Sequence, residues 1–384
     1  MKQKLTITAL VVAALAVGAC RKQSSEQPPV ATTTTTPAPE EAAVGGTAQA
    51  GDKYFFRGTI ANLSIEMQLL RDGDRLSGSY FYPRVGKYIA LSGTVDKDNK
   101  VTLTESDETG KQTGVFKGQW QPASDSPDPA INEIEGKWSK PDGSKQTEFM
   151  VTQQPFEFSG TVNVVAKVIK ETNKQKLYTV SAEYPQVDGD SRFDGFNREA
   201  RVMITKDVGA FKASESETDA SEARNLSGET QNSTMEIGYD FHYATDGLIS
   251  VAFTEASYER GAAHGNSLTE VLNYDLKNAK KLGLADLFTA KSRYLNVIST
   301  YCQKELKERA KKPDTMILDD LIASGAGPQA DNYRAWSITK KGLWITFDPY
   351  QVAAYAGGPQ YVLVPYTVLK DIIRPDGPIA IFAK

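Results

Sequence analysis

Any chemistry in this chain has to be assembled from few parts. Its 384 residues include two His, His242 and His264, and two Cys, Cys20 and Cys302. Two imidazoles cannot make a three-His zinc site. With Cys20 behind an N-terminal leader, the remaining thiol cannot form an intramolecular disulfide or a site built on two or four thiolates. His264 stands in Glu259-Arg260-Gly261-Ala262-Ala263-His264-Gly265-Asn266, where flanking Gly lets backbone approach a ligand and the imidazole can act as a base. The plainer reading is a hydrogen-bonded residue of a tight turn. No Gly-x-Ser-x-Gly elbow supplies a nucleophile, and Cys302 falls on the apolar face of an expected helix, where a thiol is inert. A His-Glu-x-x-His helix, a P-loop and a dinucleotide Gly fingerprint are also missing from the sequence. The expectation is therefore no metal, no organic cofactor and no assignable catalytic residue. The segment from Tyr350 to Gly358 combines Tyr350 and Tyr355 with the adjacent Gly357 and Gly358. Rigid amphipathic rings on flexible backbone suit a recognition surface, and equally a Tyr-capped turn over a core. His264, Tyr350, Tyr355, Gly357 and Gly358 are the candidate ligand-binding residues.

Carboxylates offer two further possibilities. Asp96, Asp98, Asp107 and Glu108 invite a calcium reading, but Lys100 and Val101 occupy places where an EF-hand loop needs an acceptor and a turn Gly. Asp188-Gly189-Asp190 with Glu199 comes closer, yet Arg192 and Phe193 stand at the fifth and sixth positions, so a turn into a helix is expected. A glycan hydrolase with paired carboxylates stays open as the alternative, because its acid and base are recognised by separation in space. The charge balance is 44 Lys plus Arg against 48 Asp plus Glu. Losing a leader that contains Lys2 and Lys4 leaves 42 basic and 48 acidic groups, a net charge of −6, which disfavours a nucleic-acid partner.

The leader is Met1-Lys2-Gln3-Lys4 followed by an apolar run to Val17. It is shorter than the ~20 apolar residues that span a bilayer and reads as a signal peptide over 1–19. Leu15-Ala16-Val17-Gly18-Ala19-Cys20 resembles a bacterial lipobox. The resemblance implies a diacylglycerol on Cys20, further acylation such as palmitate, and anchoring to a membrane through lipid. Arg21, where Asp would retain the protein, implies the periplasmic face of the outer membrane if the cell is Gram-negative. Residues 20–51 are Ser, Thr, Pro, Ala, Glu and Gly with almost no large apolar side chain, a disordered tether able to reach ~100 Å at full stretch.

The elements that must position the candidate residues follow from hydrophobic period. Over 52–154 the period is two, with Gly and Asp at the breaks, which predicts a small all-β meander or barrel. The expected strands lie within Phe56 to Leu70, Leu76 to Tyr82, Lys87 to Val95, Val101 to Thr104, Gly114 to Gln119, Ile134 to Trp138 and Thr147 to Val151. Leu76-Ser77-Gly78 echoes Leu91-Ser92-Gly93, marking bends or close backbone approach. Over 155–384 the pattern predicts an α+β domain of antiparallel strands with two main helices. Phe156 to Ile169 and Lys176 to Tyr184 read as a hairpin ending at Tyr184-Pro185, and Phe193 to Phe211 as a one-sided helix. An acidic solvated loop containing Glu215, Glu217, Asp219, Glu222 and Glu229 follows. Met235 to Tyr243 alternates, placing His242 on the polar face with Glu236 and Asp240. Leu248 to Tyr258 and Ser267 to Asp275 are further strands. Lys291 to Ala310 is a helix stopped near Pro313, and Trp336 to Thr339 pairs with Leu343 to Phe347 ahead of a short terminal helix.

The His264 segment, Leu284-Ala285-Asp286-Leu287-Phe288, and Phe347 to Gly358 with Val362-Leu363-Val364-Pro365-Tyr366 together resemble the extracellular domain of RsiV-type anti-sigma factors. Tyr184-Pro185 with Phe196-Asn197 resembles its companion domain, also present in a PdaC-type peptidoglycan deacetylase. The resemblance covers about 155–384, and no sigma-binding, membrane-spanning or deacetylase segment is expected beside it. It therefore implies a non-catalytic, cell-envelope binding module for a wall-associated partner, lysozyme or peptidoglycan. The net charge of −6 would attract a basic lysozyme, chiefly by raising association rate.

Overall fold

The computed structural model describes residues 51–83, 85–123, 131–159, 162–217, 228–312 and 315–383, all within one compact unit, Pro39–Lys384. The expected signal peptide, Cys20, the tether to residue 50, Asp219, Glu222 and Pro313 lie outside the described residues. The class is mixed α+β: an eight-stranded antiparallel barrel, then a sheet region with a long helix.

The barrel strands are β1 (Asp52–Ile60), β2 (Leu63–Asp72), β3 (Arg75–Phe81), β4 (Ile89–Val95), β5 (Lys100–Ser106), β6 (Gln112–Pro122), β7 (Asn132–Ser139) and β8 (Thr147–Gln153). Alternation drives the pleat: Ile65, Met67 and Leu69 turn inward from β2 while Glu66 and Gln68 do not. Pairing of β1 with β8, from Phe56↔Gln153 to Ile60↔Phe149, closes the sheet and removes its open edges. The echoed glycines are close approaches: a Cβ on Gly78 would lie 1.9 Å from the Gln68 carbonyl oxygen, and one on Gly93 1.9 Å from that of Thr102. The stretch read as one strand from Phe56 to Leu70 is two, β1 and β2. Its turn at Ala61-Asn62 has no Gly to announce it, and Ala61 takes φ +52°.

The second region runs β9 (Phe156–Glu157), β10 (Asn163–Asn173), β11 (Tyr178–Asp188), α1 (Asp194–Glu217), β12 (Ser233–Thr245), β13 (Leu248–Tyr258), β14 (Asn266–Asp275) and β15 (Lys280–Lys281). Then come α2 (Tyr294–Ala310), α3 (Asp319–Gly325), β16 (Trp336–Ile338), β17 (Gly342–Phe347), β18 (Gln360–Pro365) and α4 (Tyr366–Leu369). Strands β10 to β15 form one sheet in chain order, with β9 attached to β12, and β16 to β18 form a second. Helix α1 buries Phe196, Ala200, Ile204 and Val208 in one core with Val180, Ile237, Tyr239 and Phe253. A further core holds Ile298, Cys302 and Leu306 of α2 with Leu343, Ile345 and Val362. Burial there pushes the Cys302 thiol up to about 12, the inert state expected.

Three expectations need correction. The sheet is not wholly antiparallel: β11 and β12 run parallel, because α1 carries the chain back across the sheet between them. Strand β11 does not end at Tyr184-Pro185 but continues to Asp188, since beyond Ala182 it has lost β12 and a missing N–H on that side costs nothing. Helix α1 does not stop at Phe211. It continues to Glu217, and Glu215, assigned to a solvated loop, is buried against Arg260.

The barrel enters the sheet where β11 and β12 part. They pair only from Tyr178↔Ser233 to Ala182↔Ile237. Into the fork beyond comes Arg57 of β1, which donates to the Tyr239 carbonyl and to Glu183 Oε2 (2.6 Å), its guanidinium 3.8 Å from the centre of the Tyr239 ring. Tyr239 donates its hydroxyl to Glu66 Oε1 at 3.1 Å. Burial pushes Glu66 up to about 7, against the pull of Arg57.

Candidate functional site

His264 sits in the loop between β13 and β14, and that loop is tied from below. Arg260 forms a buried ion pair with Glu215 of α1, donates to the Lys176 carbonyl (2.8 Å), and its backbone N–H donates to Ser233 Oγ (3.1 Å). The Tyr258 hydroxyl holds the Ala262 carbonyl at 3.0 Å. Opposite stands Asp348-Pro349-Tyr350-Gln351, closed by the Gln351 N–H on the Asp348 carbonyl (3.0 Å). Asp348 Oδ1 accepts from the Thr269 N–H of β14 at 3.0 Å, and the Gln351 amide donates to the Gly325 and Asn332 carbonyls at 2.9 Å each. Burial holds the Asp348 carboxyl above its ordinary value.

Tyr350 occupies the third place of this turn with φ +70°. Pro second and a positive φ third is the type II pattern, which asks for Gly or Asn there. A Tyr pays for it in backbone strain of ~1–3 kcal/mol. The residue is nevertheless 55% exposed, and its hydroxyl meets His264 Nε2 at 3.2 Å. Tyr355 stacks on the same imidazole, with ring centres 3.9 Å apart and planes 24° apart, and donates to the Gly265 carbonyl at 2.7 Å. His264 Nδ1 lies 2.8 Å from that carbonyl. With a carbonyl as its partner, Nδ1 carries a proton and donates, while Nε2 meets the Tyr350 hydroxyl. Gly357 packs toward Met316, and Gly358 turns the chain at φ +61°. Of the five candidates, His264, Tyr350 and Tyr355 converge on one exposed surface, and the two glycines shape the loop that carries Tyr355.

The other sequence candidates resolve into structural roles. Asp96 Oδ1 accepts from the N–H groups of Asp98 and Lys100, and Asp107 Oδ1 from those of Thr109 and Lys111, so these carboxylates close hairpin turns. Asp190 caps the short turn leading to α1 through the Arg192 N–H at 3.0 Å. His242 is no ordinary polar-face residue. A bulge between Phe241 and Tyr243 displaces it, its Nδ1 is buried without a partner, and burial lowers its affinity for a proton. Among the described residues no group of three or more His, Cys, Asp or Glu is arranged to hold a metal.

Sequence reasoning missed one group. Asp207 of α1, Glu255 of β13 and Glu270 of β14 are half-buried, and burial raises all three above the ordinary carboxylate range. The charge of Asp207 raises both Glu further, while Lys206, Lys281 and Arg334 oppose this at Glu270. The available signal was phase: Glu255 alternates with Val251 and Phe253, and Glu270 with Leu272 and Tyr274, all inward.

Two family models match this chain. Residues 171–267 match the model described as deacetylase PdaC, and residues 285–367 the protein of unknown function DUF3298. The ring surface therefore draws His264 from the first matched segment, and Tyr350 and Tyr355 from the second. The chain is 27% identical over 203 residues to the peptidoglycan-N-acetylmuramic acid deacetylase PdaC of Bacillus subtilis, a stretch covering 53% of this chain and 40% of that one. The chain thus spans well under half the length of this curated relative. A DUF3298 family member from Bacteroides fragilis is similar at 20% identity with a TM-score of 0.44, covering 59% of this chain and 99% of the other. A DUF3298 family protein from Pseudomonas aeruginosa gives 14% and 0.41, covering 56% and 94%. The expected PdaC-type companion segment has its counterpart in the first of these matches.

Proposed function

We propose that this chain is a cell-wall-related binding protein whose His264, Tyr350 and Tyr355 surface receives peptidoglycan. The observation that carries the reading is Tyr350: a bulky ring kept in a left-handed turn position, exposed, and hydrogen-bonded to an exposed His rather than packed into a core. Strain held at a surface residue argues for use. The likeness of residues 171–267 to PdaC supports peptidoglycan as the partner. The resemblance to RsiV-type anti-sigma factors supports lysozyme as the competing one. In this reading the chain is tethered to the cell envelope by lipid on Cys20, at the periplasmic face of the outer membrane if the cell is Gram-negative, and 52–154 and 155–384 are separate domains.

Titration with soluble peptidoglycan fragments and with lysozyme tests this, beside an assay for released muropeptides. Saturable binding of fragments without release, weakened about tenfold (about 1.4 kcal/mol) by Tyr355→Ala, is the expected result. Binding of lysozyme alone would move the assignment to that partner. A second reading, a glycan hydrolase, is favoured by the raised carboxylates Asp207, Glu255 and Glu270. Muropeptide release abolished by Glu270→Gln would replace the binding reading with it.

A further inference from the structure

Beside the fork that Arg57 fills, barrel and sheet leave a cleft of about 640 Å³, within the range of ~300–1,000 Å³ that accommodates small molecules. Its floor is the face of β11 and β12 turned away from α1. Ser181, Glu183, Glu236, Gly238 and Asp240 lie there, while Val180, Ala182, Ile237 and Tyr239 belong to the core under the helix. The facing wall comes from the barrel and carries Thr59, Asn62 and Ser64. Most small-molecule sites are lined chiefly by apolar side chains; this one presents hydroxyls, an amide and carboxylates beside the exposed Leu63 and Met150.

Its charge is unbalanced. Arg57 also borders the cleft, but Glu183 and the Tyr239 carbonyl already hold its guanidinium. Glu236 and Asp240 are exposed; the charge of Asp240 is felt by Arg57 and His242, but among the described residues neither carboxylate forms an ion pair. Both therefore face a solvent-filled space that offers no uncommitted cation. Between them lies Gly238, in the middle of a strand where Gly is unfavourable. Neither close packing nor backbone conformation asks for it: a Cβ there would meet nothing within 4 Å, and its φ is not in the left-handed region. Its effect is to keep the floor bare, where a large side chain would project into the cleft. Glu236 and Asp240 are four strand residues apart, about 13 Å between α-carbons, so one small cation cannot bridge them.

We propose that this cleft binds an oligosaccharide of amino sugars with free, protonated amines, the amines meeting Glu236 and Asp240 and the ring hydroxyls meeting Thr59, Asn62 and Ser64. The site is separate from the ring surface around His264 and does not rest on the function assigned to it. Calorimetric titration of the whole protein with a glucosamine tetramer tests the proposal, with the N-acetylated tetramer and spermidine as comparators. The glucosamine tetramer should bind at least about tenfold more tightly than either comparator, and its affinity should fall as salt is added. Gly238→Leu should keep the melting temperature and abolish binding. Glu236→Gln and Asp240→Asn, which leave the cleft open, should each weaken it severalfold, and Tyr355→Ala should leave it unchanged. Absence of binding at millimolar tetramer, equal binding of the N-acetylated tetramer or of spermidine, or retained affinity in both Gly238→Leu and Asp240→Asn would overturn it.

Discussion

The barrel and the sheet region use the same period-two strands but settle their polar groups differently. In the barrel the one deeply buried carboxylate of β5, Glu105, accepts from the Tyr80 hydroxyl (2.8 Å), the Thr113 hydroxyl (2.6 Å) and the Trp138 indole (2.8 Å), all barrel residues. Its left-handed non-Gly residues, Ala61, Asn99 and Lys145, are small or polar and stand in hairpin turns. In the sheet region a strand pair forks, a backbone carbonyl of β12 is met by an Arg from another element, and a Tyr is held at a turn position suited to Gly. A closed sheet satisfies its backbone from within, whereas an open one leaves groups for other parts of the molecule, and for ligands, to meet.

The largest effect should come from the contact that joins the two regions. Arg57→Ala leaves Glu183 buried and unpaired and the Tyr239 carbonyl without its donor. The expected loss is ~3–5 kcal/mol, read by urea unfolding, with earlier cleavage near Gln153 to Glu157 in limited proteolysis. A loss under about 1 kcal/mol would make the barrel an appendage rather than a wall of the sheet's fork.

The next effect is a pH dependence at the same junction. Glu66 is raised to about 7 in the folded state from about 4.5, so between those values the folded chain binds more protons than the unfolded one. Stability should therefore fall as pH rises through this window, by up to ~1.4 kcal/mol per pH unit, and level off above it. Glu66→Gln should remove this slope, and equal slopes in both proteins would deny Glu66 the role.

Within the barrel, Tyr80→Phe deprives buried Glu105 of one of three donors and should cost ~1.5–3 kcal/mol, measured by thermal unfolding, without altering binding of any ligand. Smallest, and opposite in sign, is Tyr350→Gly. Relief of the left-handed strain should raise stability by ~1 kcal/mol while peptidoglycan fragments bind less tightly. A Tyr350→Gly protein that loses stability and keeps its affinity would reduce the ring to a cap on the turn.

What the sequence made legible follows the same division. Barrel strands could be read because alternation and Gly- or Asp-marked turns are local, and only the Ala61-Asn62 turn, lacking such a mark, was missed. The end of α1 was misread because Glu215 looks like a solvated charge until Arg260, 45 residues away, is brought against it. Pro185 looked like a strand end because the loss of β12 as neighbour is a tertiary fact. His264, Tyr350 and Tyr355 could be named from residue type and Gly context. Their convergence could not, since the two loops lie 86 residues apart and are held in place by tertiary contacts, Arg260 on Glu215 and Asp348 on Thr269. The cleft beside β12 left one trace in the sequence, a Gly inside an alternating strand.

The ring surface has a convenient reporter, because the chain contains only two His and they occupy opposite environments, His264 exposed and His242 with a buried ring nitrogen. A proton NMR titration that follows both imidazole Cε1–H signals while soluble N-acetylated peptidoglycan fragments are added reads the proposed site directly. The account predicts a saturable shift of the His264 signal, with His242 unmoved and the shift lost in Tyr355→Ala. A His264 signal that stays in place at millimolar fragment, or movement of His242 alone, would contradict it.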